Sequence, residues 1–199
     1  LAVLAAPAQN LAIKAGQVIT RSGDPIENGT ILIQDGVITA VGAEIEIPWD
    51  AVVIERTELV AFPGFVDADA PRGMDRANEN LDVAPYLSVR DSVDPVNYFF
   101  ENALRKGITT INVQQGSECV IGGQGLVGRP FGMTVEAMTV KTDAGLVLSA
   151  AAKRGESTAT QIQALRGGFQ GLRTHLEELG APKKEGSDRG RPEAPFPGR

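Results

Sequence analysis

From residue 11 to residue 62 the chain is written in short runs rich in Ile and Val, parted by turn residues, and nothing there carries helical spacing. The runs 11–20, 30–34, 37–41, 52–55 and 59–62 read as strands. Asp35-Gly36 falls between two of them. It is a two-residue type I′ hairpin signal, because Asp and Gly tolerate the positive φ that this turn demands. A stretch of this kind predicts a small β module at the front of the chain.

After Pro63-Gly64 the pattern changes. Asp94-Pro95 predicts an N-cap followed by a first-turn proline, and Val96, Phe99, Phe100, Ala103 and Leu104 recur at helical spacing up to Gly107, which stops the helix. Residues 108–113 follow at once as a β-branched run, so helix, glycine and strand form the second half of a βαβ unit and imply a parallel sheet. The longest predicted helix covers 157–179. Thr158 and Gln161 form its expected capping box, and Ile162, Leu165, Phe169, Leu172, Leu176 and Leu179 recur at steps of three and four. That face is core or interface. Gly167 and Gly168 each cost about 1 kcal/mol against Ala in a helix interior, and Gly180 is a natural stop.

Charge narrows the function classes. With 19 basic and 25 acidic residues the chain carries −6 and has no strongly basic block to gather phosphates, which argues against nucleic acid as a partner. Its 42% apolar and 22% charged content is that of an ordinary folded protein. One cysteine, Cys119, forbids a disulfide within the chain, and one histidine, His175, forbids any site built from several His ligands on this chain alone.

The ends read differently from the body. Residues 1–10 read as a leader whose first eight are small and apolar, with Ala6-Pro7-Ala8 ahead of Gln9, like the back half of a signal peptide with its A-x-A cleavage site. This predicts an exported protein, periplasmic or secreted. The run is too short to span a bilayer, and an Ala-rich leader is the alternative. Residues 180–199 hold four Gly and four Pro with a single aromatic, Phe196, and read as a tail or linker.

The segment from Leu59 to Gly73 carries Pro63-Gly64, Asp67 and Gly73 in register with a motif Pro-Gly-x-x-Asp-x-His-x-His-x-Gly. With the β module before it, this resembles the N-terminal part of the amidohydrolase superfamily, in particular an exported bacterial branch of imidazolonepropionase-like amidohydrolases. The stretches 103–113, 116–124, 140–146 and 157–179 are similar to that branch, less specifically. The resemblance implies an α/β chain: a small N-terminal β-sandwich over 11–62, then a partial (β/α) TIM-type barrel over 63–179. About 120 residues lie between Pro63 and Gly180, against about 250 for a closed eightfold barrel, so three or four βα units fit. A second protein chain, or a C-terminal half beyond this sequence, would complete the barrel.

The resemblance also implies zinc or a similar divalent ion, held by two first-strand histidines and later ligands, lowering the pKa of a bound water. Here those two positions are Asp69 and Pro71. The expectation is therefore no cofactor on this chain, no catalytic residues, and a binding or assembly partner. The alternative is a fragment or subunit of a metal-dependent hydrolase of non-peptide C–N bonds, with its remaining ligands elsewhere. Asp67 and Asp69 alternate across one strand residue and present two carboxylates that suit a hard cation, although two such ligands without a third also read as strand-end acids. Arg72 and Arg129 are the cations beside motif loops and are candidates to orient an acidic ligand. Lys141 reads as a surface lysine and Cys119 as a small core residue. The glycine-rich stretch 116–132 lacks the Gly-Lys-Ser/Thr of a phosphate loop and reads as a tightly turned or flexible connection.

Overall fold

A computed structural model describes residues 10–75, 81–153 and 155–180. The candidate leader, but for Asn10, and the candidate tail after Gly180 lie outside them. The chain is mixed α/β with several sheets and few helices. It divides into two compact units at Pro63/Gly64.

The first unit is a five-stranded sheet made of β1 (Leu11–Val18), β2 (Ile26–Glu27), β3 (Thr30–Gln34), β4 (Val37–Gly42) and β5 (Val52–Ala61). β1 pairs antiparallel with β2 and β3 and parallel with β5, and β3 pairs antiparallel with β4. Asp35 and Gly36 take φ of 52° and 76°, the pair of positive values that the type I′ turn requires. The two expected strands 52–55 and 59–62 are one strand in the structure. The parallel ladder to β1 carries through the polar centre of β5, and the register jumps from Ala15↔Arg56 to Gln17↔Val60. Gly16 sits opposite that bulge, where a Cβ would collide with the carbonyl oxygen of Thr57. β2 was too short to leave a hydrophobic pattern. Ala12, Ala15, Val18, Thr30 and Leu32 are the buried residues of this sheet, while Val37, Ile38, Val52, Val53, Leu59 and Val60 are exposed.

The second unit runs β6 (Phe65–Ala70), a 3-10 turn (Val89–Ser92), α1 (Tyr98–Arg105), β7 (Ile108–Val113), β8 (Ile121–Gln124), β9 (Leu126–Gly128), α2 (Val135–Met138), β10 (Thr139–Lys141), β11 (Leu146–Leu148) and α3 (Thr158–Gly180). β6, α1 and β7 form the expected βαβ unit, with β6 and β7 parallel. The remainder departs from a parallel sheet. The order is β10-β9-β7-β6, with β7–β9 and β9–β10 antiparallel, and β8 and β11 form a separate antiparallel pair. β9 is followed by β10 through the short helix α2 and pairs antiparallel with both β7 and β10.

The start of α1 corrects the sequence reading. Asn97 caps the helix, its Oδ1 accepting from the N–H of Phe99 at 3.0 Å. Asp94 instead closes a turn: its carbonyl accepts from the N–H of Asn97 at 3.0 Å, and its Oδ1 from that of Val96 at 3.2 Å. Pro95 thus occupies the second position of a β-turn, which its fixed φ suits equally well. Gly107 does end the helix, at φ 79°. Against α1 and β7 lies one contiguous core of Ala70, Met74, Val89, Val93, Phe100, Ala103, Ile111, Val113, Leu126 and Met138. Gly73, at φ 80°, lets the backbone pass over Phe100, whose Cζ would lie 2.5 Å from an added Cβ.

Two further expectations change. The glycine-rich stretch contains strands β8 and β9, and its glycines are packed: a Cβ on Gly122 would meet the Cys119 Sγ at 2.7 Å, and one on Gly123 the Leu87 carbonyl oxygen at 2.6 Å. At the start of α3 the cap is Ser157, whose Oγ accepts from the Thr160 N–H at 3.2 Å, while Gln161 turns inward and is fully buried. The apolar stripe of α3 is largely open, with Phe169 and Leu176 at 50% and 57% exposure. Among the described residues no helix is long and apolar enough to cross a membrane.

Candidate functional site

The parallel pair β6–β7 ends in polar side chains. On β6 the register advances from Asp67↔Ile111 to Ala70↔Val113, so three steps on β6 match two on β7 and the strand bulges at Ala68 and Asp69. Within that bulge Asp67 Oδ1 accepts from the N–H of Asp69 at 3.3 Å. Asp69 Oδ1 accepts from Gln114 Nε2 at 2.7 Å, and Asn112 Nδ2 donates both to the Ala68 carbonyl at 3.1 Å and to Gln114 Oε1 at 3.3 Å. The strand end is therefore a chain of amides terminating on a carboxylate.

Two clefts meet at Asp69 and Pro71. The smaller, of about 300 Å³, is lined by Asp67, Asp69 and Arg72 together with Phe99, Asn102 and Lys106. The larger, of about 500 Å³, is lined by Asp69, Gln114, Gln115 and Ser117 and by residues 146–151. Gln115 is 6% exposed; its Oε1 accepts from the Gly123 N–H at 2.9 Å, and its Nε2 is buried without a hydrogen-bond partner. The structure thus brings Asp67, Asp69 and Arg72 to one cavity. Arg129 lies elsewhere, just past β9, with its N–H on the Met138 carbonyl. Lys141 is exposed on β10. Asn112, Gln114 and Gln115 were not singled out in the sequence, although amide residues closing a β-branched run are a legible sign of a strand's polar end.

Chemically, this cluster offers hydrogen-bond donors and acceptors. Among the described residues no three His, Cys, Asp or Glu side chains gather to hold a metal ion. Asp69 has one oxygen engaged by an amide, and Pro71 offers no ligand atom. These residues do not fit a zinc ion of the kind that the resemblance implies. Cys119 is buried, which pushes its thiol above the ordinary range, and its Sγ donates to the Gly116 carbonyl at 3.3 Å, so it is a structural thiol and a poor nucleophile.

The overall geometry is similar to a crystal structure of an amidohydrolase from Thermotoga maritima MSB8, with a TM-score of 0.76 and 25% identity over 92% of this chain. The chain spans about half of that protein's length, 53%. The amidohydrolase likeness read from Pro63 to Gly73 is therefore supported by the fold. An A. niger ochratoxinase matches 34% of this chain and 17% of its own at 32% identity, but its TM-score of 0.30 carries no argument. No family model and no curated protein matches.

Proposed function

We propose that this chain is an amidohydrolase-like protein, a small β-sandwich module followed by a partial (β/α) barrel, that is non-catalytic by itself and acts as a binding or assembly partner. The observation that carries this reading is the 2.7 Å hydrogen bond from Gln114 to Asp69. It occupies, with an amide and a carboxylate, the strand end where the resembled motif places its first histidine. The residues that set the bend there, Pro63, Gly64 and Gly73, are kept, which preserves architecture while the ligand chemistry changes. The partner in this reading is a second polypeptide that supplies the rest of the barrel, and the open stripe of α3 and the exposed apolar residues of β5 are surfaces that suit it.

Elemental analysis of the protein purified without chelator tests the reading. We expect less than about 0.1 equivalent of Zn, Mn or Fe, unchanged in Asp69→Ala. One or two equivalents per chain, lost in Asp69→Ala, would overturn it.

A second reading, a fragment or subunit of a metal-dependent hydrolase, is favoured by the 53% coverage of the Thermotoga protein. In that case a longer polypeptide containing this sequence, or this chain mixed with its complement, would acquire metal and hydrolyse a non-peptide C–N bond. This chain as given would do neither. An exported location remains part of the first proposal, and immunodetection in a periplasmic or culture fraction checks it.

A further inference from the structure

We propose that α3 is a latch on the wall of the larger cleft and that Gln161 is its pin. The proposal is independent of what the cleft binds. Of the 23 residues of α3 only Gln161 is buried, at 0% exposure. Its Nε2 donates to the Cys119 carbonyl at 3.0 Å and to the Ser149 carbonyl at 3.1 Å. Those two acceptors belong to segments far apart in sequence, and both segments form or adjoin the cleft wall. Ser149 Oγ in turn donates to the Ser117 carbonyl at 3.2 Å, its N–H to the Val120 carbonyl at 3.0 Å, and Ser117 and Ser149 both line the cavity. One side chain on the helix therefore braces both strips of backbone that shape the cleft, in addition to the bonds that run directly between them.

Several features make this a latch and not a permanent seam. Gly167, Gly168 and Gly171 lower the helix's own stability, and its apolar stripe adds little burial, so the docked state depends on few contacts. Gly168 allows the close approach, since a Cβ there would lie 2.9 Å from Ile121 Cδ1. Gln161 Oε1 is buried and has no hydrogen-bond partner, which offsets part of what its amide N–H groups contribute. The start of β8 is held separately, by the N–H groups of Val120 and Ile121 on the Asp82 carbonyl, and β8 is paired to β11, so release of the helix leaves the sheet in place.

Cys119 is the chain's single cysteine, it is buried, and its carbonyl is one of the two that Gln161 holds. Its labelling by dithiobis(nitrobenzoate) therefore reports opening of the segment whose carbonyl Gln161 holds. We expect Gln161→Leu to speed native-state labelling at pH 8 by tenfold or more. Ile111→Val, which thins the core away from the latch, should raise the rate only in proportion to its loss of global stability. Equal acceleration in the two variants at matched urea midpoints, or none in Gln161→Leu, would overturn the proposal. The wild-type protein gives a second test that needs no variant to fold. Labelling through a local opening has a shallow urea dependence, whereas one as steep as that of global unfolding would equally overturn the latch.

Discussion

In the first unit most sheet partners are close in sequence: β3 and β4 are joined by two residues, and β2 returns directly onto β1. Its buried residues are small, Ala12, Ala15, Val18, Thr30 and Leu32, and many of its larger apolar side chains face outward. In the second unit the core gathers residues from Ala70 to Met138, and Gln161 bonds backbone beside the cleft more than forty positions away. Local turn chemistry and a backbone ladder therefore build one unit, and packing between distant segments builds the other. The lesson is that a perturbation of equal size should matter more in the second.

The largest expected effect tests this directly. Ile111, 1% exposed, sits at the centre of the second core, and Ile111→Ala should cost about 2–5 kcal/mol in urea unfolding followed by circular dichroism. Leu32→Ala in the first unit, where the buried residue opposite is Ala12 and the side chain is already 8% exposed, should fall at or below the low end, about 2 kcal/mol. Equal costs would break the comparison.

A smaller effect sharpens the local side of it. Gly36 is at φ 76° with open space around it, so Gly36→Ala meets no clash and carries only the cost of the backbone conformation, about 1 kcal/mol, confined to the first unit. A loss several times larger would mean that the hairpin supports more than its own two strands.

The smallest concerns a surface pair in the second unit. The Glu136 carboxyl is held below its ordinary pKa, first by its own backbone N–H and then by Arg90, whose guanidinium lies 2.8 Å away. A depressed folded-state pKa stabilises above the unfolded value and is lost as pH falls through the folded one. Glu136→Gln should therefore lower the melting temperature slightly at pH 7. The difference should shrink as pH falls below the ordinary carboxyl range and vanish once it passes the lowered folded-state value, and it should also vanish at high salt, because both partners are exposed. A difference that persists at low pH would point to packing instead of charge.

The particular elements show how much was legible beforehand. The Asp35-Gly36 hairpin, the strand 30–34 and the helix-glycine-strand of 98–113 could be read because turn chemistry and periodicity are local. The cap of α1 was misplaced by three residues, since Asp94-Pro95 satisfies a β-turn and a helix start alike. Asp67, Asp69 and Arg72 were found through a motif, whereas their amide partners Asn112 and Gln114 come from a neighbouring strand whose register no local pattern encodes. Gln161 was assigned to a cap because its spacing from Thr158 fits one. Burial against Cys119 and Ser149 decided otherwise.

The sequence by itself determined the strand-rich front, its hairpin, the βαβ unit after Pro63-Gly64, and the presence of Asp69 and Pro71 at the two positions where the resembled motif has histidines. These follow from backbone preferences and residue identity, which act over a few positions. Only the tertiary structure decided that β1 and β5 run parallel across a bulge at Gly16, that the glycine-rich stretch contains packed strands, and that a helix glutamine is buried on the Cys119 and Ser149 carbonyls. Each of those depends on which distant backbone groups come within hydrogen-bonding or van der Waals reach, and that is settled when the chain excludes water from its core.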